Sequence, residues 1–290
     1  MVLRTLDASL SDNRMSQPNL LTAELTFVSS VLDRYWSLIA MACPAPDSTE
    51  PSLGGQLFYA GPLDESGHAF CVAANIAGAA TLALSPDSAA QRAAIRDGIV
   101  DFVVTTLDEA LRILKNQVRK REPVAVCVAS LPGSIEAEMT DRGAAPDLIA
   151  EHLPSLLDSA PITVPPRFDS HSKVVAALPP PSSQVTLAWS VPSAPVLWLP
   201  RLDAIVLECL DSDAGRERRW MRLAPRYLGR LSRNLRALRC SPGAARRFVE
   251  RFEVASLRHE FAVPVEVQVI RGDFIDRHRY SPASPSTRPR

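Results

Sequence analysis

An excess of charge is the first thing this chain lacks, since Lys+Arg and Asp+Glu both number 32. With no net field, composition gives no reason to expect a nucleic acid or an anionic membrane as partner. Lysine is scarce, occurring only at Lys115, Lys120 and Lys173, so arginine serves as the general cation. Long apolar runs are also missing. The first apolar stretch, Trp36 to Cys43, is too short to cross a bilayer, and Asp7, Asp12, Glu24 and Asp33 precede it where a secretion signal would be basic. The cytoplasm is therefore the expected compartment. Cysteine is sparse: Cys43, Cys71, Cys127, Cys209 and Cys240 are odd in number and scattered through apolar segments. That pattern argues against a disulfide framework and a zinc site and predicts reduced core thiols. What remains is ordinary globular material, 46% hydrophobic and 22% charged over 290 residues, enough for one large core or two modest ones.

The stretch from Gly54 to Ile149 organises the rest. It alternates strand with helix: Leu57 to Ala60 then His68 to Ala79, Thr81 to Leu84 then Ser88 to Asp97, Val100 to Val104 then Leu107 to Lys120, Val124 to Val128 then Ile135 to Arg142. Asp147 to Ile149 offers a fifth strand. Short, almost unbroken apolar strands suit a sheet covered on both faces, and the alternation predicts an α/β fold with a doubly wound parallel sheet. Sheets of that kind bind ligands at the carboxyl ends of their strands. The helix after Val104 is the clearest, with Leu107, Ala110, Leu111, Leu114 and Val118 on one face and Asp108, Arg112, Lys115 and Arg119 on the other. Thr106 and Glu109 have the spacing of a capping box.

The runs AANIAGAATLALSPDS, IRDGIVDFVVTTLDEALR and PVAVCVASLPGSIEAEMTDRGAAPDLI resemble, in order and spacing, the central NAD-binding domain of urocanase (urocanate hydratase). Gly98, Asp101, Leu107, Asp108, Glu109, Ala110, Leu111, Arg142, Gly143, Pro146 and Asp147 carry the resemblance. It implies a Rossmann-like fold and a homodimer. If the family activity is retained, it also implies a tightly bound NAD, whose nicotinamide ring takes up the imidazole substrate while water adds across the side-chain double bond.

A dinucleotide needs glycines between the first strand and helix, so that backbone approaches the pyrophosphate and the helix N-terminus stays open. Here the turn reads GPLDESGH: Gly61 and Gly67 remain, but Asp64 and Glu65 stand where phosphates would lie. Carboxylates there repel phosphate, so a surface turn with Ser66 as the helix cap is the favoured reading. The acid expected at the end of the second strand, to hold a ribose, is replaced by Ser85, with Asp87 two residues on. Asp87 after Pro86 reads better as a helix N-cap. Gly61, Gly67, Ser85, Asp87 and Thr105 are thus the candidate cofactor positions, no metal ligand is proposed, and the expected cofactor is none. His152 reads as a surface residue.

Around this core, residues 1–19 read as a mobile tail, and Leu20 to Met41 as a helix packed on the sheet domain, the two together making residues 20–153 one unit. Residues 154–183 are rich in proline and serine and read as a linker, 184–275 as a smaller α+β region, and 276–290 as a disordered tail. WSVPSAPVLWLP and LDAIVLECLDSDAGRERRWMRLAPR resemble two segments of the urocanase catalytic core. In that register, anchored on Trp198, Ser190 takes the place of the family's catalytic cysteine. Gly215 to Leu238 reads as one arginine-striped helix, kinked or split at Pro225, with Arg218, Arg222, Arg226, Arg230 and Arg233 along it. No aromatic platform is interleaved with it, so a solvated face is favoured over a nucleic-acid surface. Ala244 to His259 reads as a helix, and Val263 to Ile270 as an antiparallel strand that Pro264 places at a sheet edge.

Three functions follow as expectations. The favoured one is a catalytically degraded relative of urocanase that binds a small molecule or a protein. The alternatives are an active NAD-dependent hydratase and an interaction protein that holds acidic partners on its arginine stripe.

Overall fold

The computed structural model describes residues 20–41, 50–151, 168, 172–176 and 183–282. Helix α1 (Leu20–Ala40) is followed by β1 (Leu57–Pro62), α2 (Glu65–Ala77), β2 (Ala80–Leu84), α3 (Ser88–Asp97) and β3 (Phe102–Val104). Then come α4 (Leu107–Lys120), β4 (Val124–Val128), α5 (Pro132–Asp141), β5 (Leu148–Ala150) and β6 (Lys173–Val175). The six strands form one parallel sheet in the order β3-β4-β2-β1-β5-β6. Alternate strand residues go to opposite faces. Phe58, Ala83 and Cys127 share a core cluster with α2 and with Ala94 of α3. Tyr59, Leu82 and Val126 share another with Leu111 and Leu114 of α4 and Ile135 and Met139 of α5. The sheet is doubly wound, as its alternating sequence requires.

Local signals place these elements. In α4, Leu107, Ala110, Leu111 and Leu114 are buried and Thr106 accepts the Glu109 N–H at 3.3 Å, while the Glu109 carboxylate accepts the N–H of Thr105. Helix α2 is buried almost throughout from Ala69 to Ala77, because the sheet lies on one side while α1 and α7 (Gly215–Leu228) pack against it from elsewhere.

The second sheet is antiparallel. Its strands are β7 (Val185–Ser190), β8 (Leu235–Cys240), β9 (Val265–Arg271) and β10 (Phe274–Tyr280), in the order β10-β9-β7-β8. Helices α6 (Pro195–Cys209) and α8 (Pro242–Leu257) complete this part. Trp189 reaches α6 through Asp203 and α8 through Phe248, whereas α1 and α7 touch β8. A single cluster of buried residues runs from the first sheet through α2, α1 and α7 into the second.

Four expectations need correction. The stretch 154–183 is not wholly linker, since Lys173–Val175 adds β6 beside β5. The 276–290 segment is not wholly tail, since Asp276 to Tyr280 continues β10 along β9. Val265–Arg271 is antiparallel but interior, between β7 and β10, and Pro264 lies just outside it, where its missing N–H disturbs no ladder. The arginine helix ends at Leu228, and Leu235 and Leu238 belong to a strand.

Of the expected solvated stripe, Arg222, Arg226, Arg230 and Arg233 are exposed, and arginines of this region also make contacts within the fold. Arg219 donates through Nε to the Ile76 carbonyl at 2.9 Å, at the last turn of α2. Arg230 donates to the Arg96 carbonyl in the last turn of α3. Arg222 pairs with Glu50 at 2.5 Å, and Arg218 donates to the Asp211 carbonyl at 3.3 Å. Two guanidinium groups therefore sit at the negative ends of two helices, where cations are favoured and free carbonyls need donors.

Candidate functional site

The carboxyl edge of the parallel sheet is where a ligand of this fold would lie. There the end of β1 carries a register irregularity between Tyr59 and Gly61, with Gly61 at φ +72, and Leu63 donates its N–H to the Leu84 carbonyl at 2.7 Å. Gly67 follows in the first turn of α2. A Cβ there would lie 2.0 Å from the Pro62 carbonyl oxygen. Glycine is thus demanded by the packing of helix against strand, which is a different requirement from room for a phosphate.

The free N–H groups of that first turn are contested by the chain itself. Asp64 is the N-cap, its Oδ1 accepting the Gly67 N–H at 2.8 Å, so the expected cap at Ser66 is corrected. Ser66 Oγ accepts from Arg34 of α1 at 3.0 Å. Arg34 lies over the Phe70 ring at 4.9 Å and also donates to Ser30. Burial holds its pKa below the ordinary range against the pull of Asp33, Asp64 and Glu65. His68, two residues after Ser66, is half-buried, with Nε2 unpartnered, and burial lowers its pKa as well.

Ser85, at the end of β2, is 6% exposed, and its N–H, carbonyl and Oγ each meet a partner within the chain. Its N–H donates to the Val128 carbonyl at 3.1 Å, its carbonyl accepts from Gln91 Nε2 at 2.7 Å and its Oγ accepts the Asp87 N–H at 3.3 Å. Asp87 caps α3 by accepting the Ala89 N–H at 2.8 Å, as its position after Pro86 predicts. Thr105 is exposed and gives its N–H to Glu109. Beside Ser85 lies Cys127, whose thiol burial pushes up to about 11, too high to supply a thiolate at neutral pH.

Sequence reasoning missed a buried pair close by. Tyr59 donates its hydroxyl to Glu136 Oε1 at 2.5 Å, with Phe168 edge-on to the Tyr59 ring at 5.5 Å. Burial first, and Glu136 second, raises the Tyr59 pKa. The only signal was a glutamate on the inward stripe of α5, one residue after the buried Ile135.

Ser190 stands apart from these groups. It ends β7 in the other sheet, 5% exposed, opposite Leu235 on one side and Glu266 on the other. Glu266 is occupied by Arg279 at 3.3 Å and by Gln268 at 3.0 Å. The structure thus brings Gly61, Gly67, Ser85, Asp87 and Thr105 to one sheet edge and leaves Ser190 in another sheet. His152 and Cys43 lie outside the described residues. Among those residues, no group of three or more His, Cys, Asp or Glu is placed to hold a metal, and no helix is long and apolar enough to cross a membrane.

Residues 38–157 match the family model described as the urocanase Rossmann-like domain. The match begins within α1, spans every strand from β1 to β5, and contains all five candidate positions of the sheet edge. Order of elements, strand pairing and family match agree: residues 38–157 of this chain form a doubly wound α/β unit similar to the urocanase Rossmann-like domain.

Proposed function

We propose that this chain is a catalytically degraded relative of urocanase whose Rossmann-like domain acts as a binding module without a dinucleotide. The observation that carries this reading is the Asp64 carboxylate on the Gly67 N–H at 2.8 Å. That donor is one that a pyrophosphate would use, and it already has an anion from within the chain. Two unit charges of like sign 4 Å apart near a protein surface repel by about 4 kcal/mol, so Asp64 and the neighbouring Glu65 oppose a phosphate.

The ribose side supports the same reading, since Ser85 is engaged throughout and Asp87 is used as a helix cap. Ser190 offers a hydroxyl, far less acidic than a thiol, and the side chain of its cross-strand neighbour Glu266 is occupied elsewhere. With the Gly67 N–H and Ser85 engaged within the chain, contacts with protein are the favoured output over capture of a small anion. The arginines of α7 and of the turn after it give less support to an acidic-partner surface, because Arg219 and Arg230 hold helix ends and Arg222 holds Glu50.

The test is direct. Purified protein is denatured in acid and the supernatant chromatographed for nucleotide; none is expected, and a stoichiometric NAD peak would overturn the proposal.

A further inference from the structure

We propose that the cavity between the C-terminal ends of α3 and α7 binds a small zwitterion, a free amino acid with an aliphatic side chain. The cavity measures about 320 Å³, at the small end of the range for ligand pockets. It lies where α3 turns into β3, at the amino edge of the parallel sheet, so its contacts are separate from those of Gly61 and Ser85 at the carboxyl edge.

Opposite charges line this cavity without meeting. The α3–β3 turn contributes Asp97 and Asp101, while α7 and the turn after it contribute Arg226 and Arg230. Among the described residues, neither carboxylate pairs with either guanidinium, and Asp97 has only its exposed neighbour Arg96, at 3.2 Å. Arg226 has no ion pair or hydrogen bond among those residues, and the Tyr227 ring, 5.3 Å away, supports it at the cavity wall. Arg230 gives Nη1 to the Arg96 carbonyl and keeps its other nitrogens. Asp101 accepts the Ala125 N–H through Oδ2 at 2.8 Å, which leaves Oδ1.

That separation selects the ligand. A simple anion would be drawn to Arg226 but repelled by Asp97 and Asp101, and a simple cation would meet the reverse. A molecule that carries a carboxylate and an ammonium group satisfies both sides through charge-assisted hydrogen bonds. Ile95, 41% exposed, and Val100 add apolar lining, which an aliphatic side chain covers.

Calorimetric titration of the full chain at low salt tests the proposal with three probes of one carbon skeleton: L-leucine, 4-methylpentanoate, which lacks the ammonium, and 3-methylbutylamine, which lacks the carboxylate. Leucine is expected to bind with a Kd on the order of 1 mM or tighter. Each single-charge analogue should bind about tenfold more weakly or worse. Arg226→Ala should weaken leucine by about tenfold and leave 3-methylbutylamine no weaker, whereas Asp97→Asn should weaken leucine and leave 4-methylpentanoate no weaker. Both side chains reach solvent, and circular dichroism checks that each variant is folded. No binding of leucine at about 10 mM, an analogue that binds as tightly as leucine, or leucine binding unchanged in either variant would overturn the proposal.

Discussion

The indole Nε1 of Trp189 donates to the carboxylate of Asp203 at 3.0 Å, tying β7 to α6 inside the second sheet's core. Asp203 also faces Arg236 of β8 at 3.8 Å, and both side chains of that pair are mostly buried. Burial raises the Asp203 carboxyl to about 6, and burial lowers Arg236, so for both partners desolvation outweighs their attraction.

A pH dependence follows from that carboxyl. Its folded pKa lies above the model-compound value of 3.8, so the native state binds the proton more tightly than the unfolded state. The stabilising contribution is complete below the unfolded pKa and is lost as pH rises from about 4 through about 6, by roughly 1–3 kcal/mol. Urea midpoints of the wild type and Asp203→Asn over this range should differ in slope, with that component absent from the variant. Parallel slopes would contradict the assignment.

Two glycines should respond differently to alanine. At Gly67 the new methyl would meet the Pro62 carbonyl at 2.0 Å, and backbone has to move, so Gly67→Ala is expected to destabilise by about 3 kcal/mol or more or to prevent folding. At Gly98 nothing lies within 4 Å, and only its φ of +75 opposes the substitution, which should cost about 1–2 kcal/mol. Thermal melts of the two variants give the comparison, and equal losses would refute the packing argument.

Arg219 and Arg226 are likewise separable. Arg219→Ala removes a donor from the α2 carbonyl end and should lower stability by about 1–3 kcal/mol. Arg226 lies over its neighbour Tyr227 at 5.3 Å and makes no ion pair among the described residues, so Arg226→Ala should stay within about 0.5 kcal/mol. Chemical denaturation distinguishes them, and a large loss at Arg226 would restore the idea of a continuous functional stripe.

Restoring a thiol should not restore chemistry. Ser190→Cys is expected to leave urocanate absorbance unchanged with added NAD, because Ser190 stands in the antiparallel sheet, apart from the carboxyl edge that carries Gly61 and Ser85. Catalysis needs reacting groups held together, and misplacement alone costs about 100-fold. Turnover by the variant would show that this register of the site is wrong.

Much of the first sheet was legible residue by residue. The bounds of α3, α4 and β4 follow directly from apolar periodicity, Asp87, Thr106 and the apolar run at Val124, because caps and periodicity act within a few residues. Strand β8 was misread because Leu235 and Leu238 also fit a helical stripe, and a strand buried along nearly its whole length loses the alternation that would identify it. Strand β10 was misread because its exposed Asp276, Arg277 and Arg279 look like tail composition; on an edge strand, such charges discourage further pairing.

The candidate site divides in the same way. Its positions were readable, because glycines, a serine and caps at strand ends are marked by spacing alone. Which groups are occupied was not, because hydrogen bonds are settled by what folding brings within 3 Å or so. Sequence by itself determined the α/β alternation and the presence of acids at the first turn. Only the tertiary structure decided that Arg34 arrives from α1 beside the Asp64 cap, and that Arg219 of α7 and Arg230 beyond it hold the ends of α2 and α3, since each depends on partners distant in the chain.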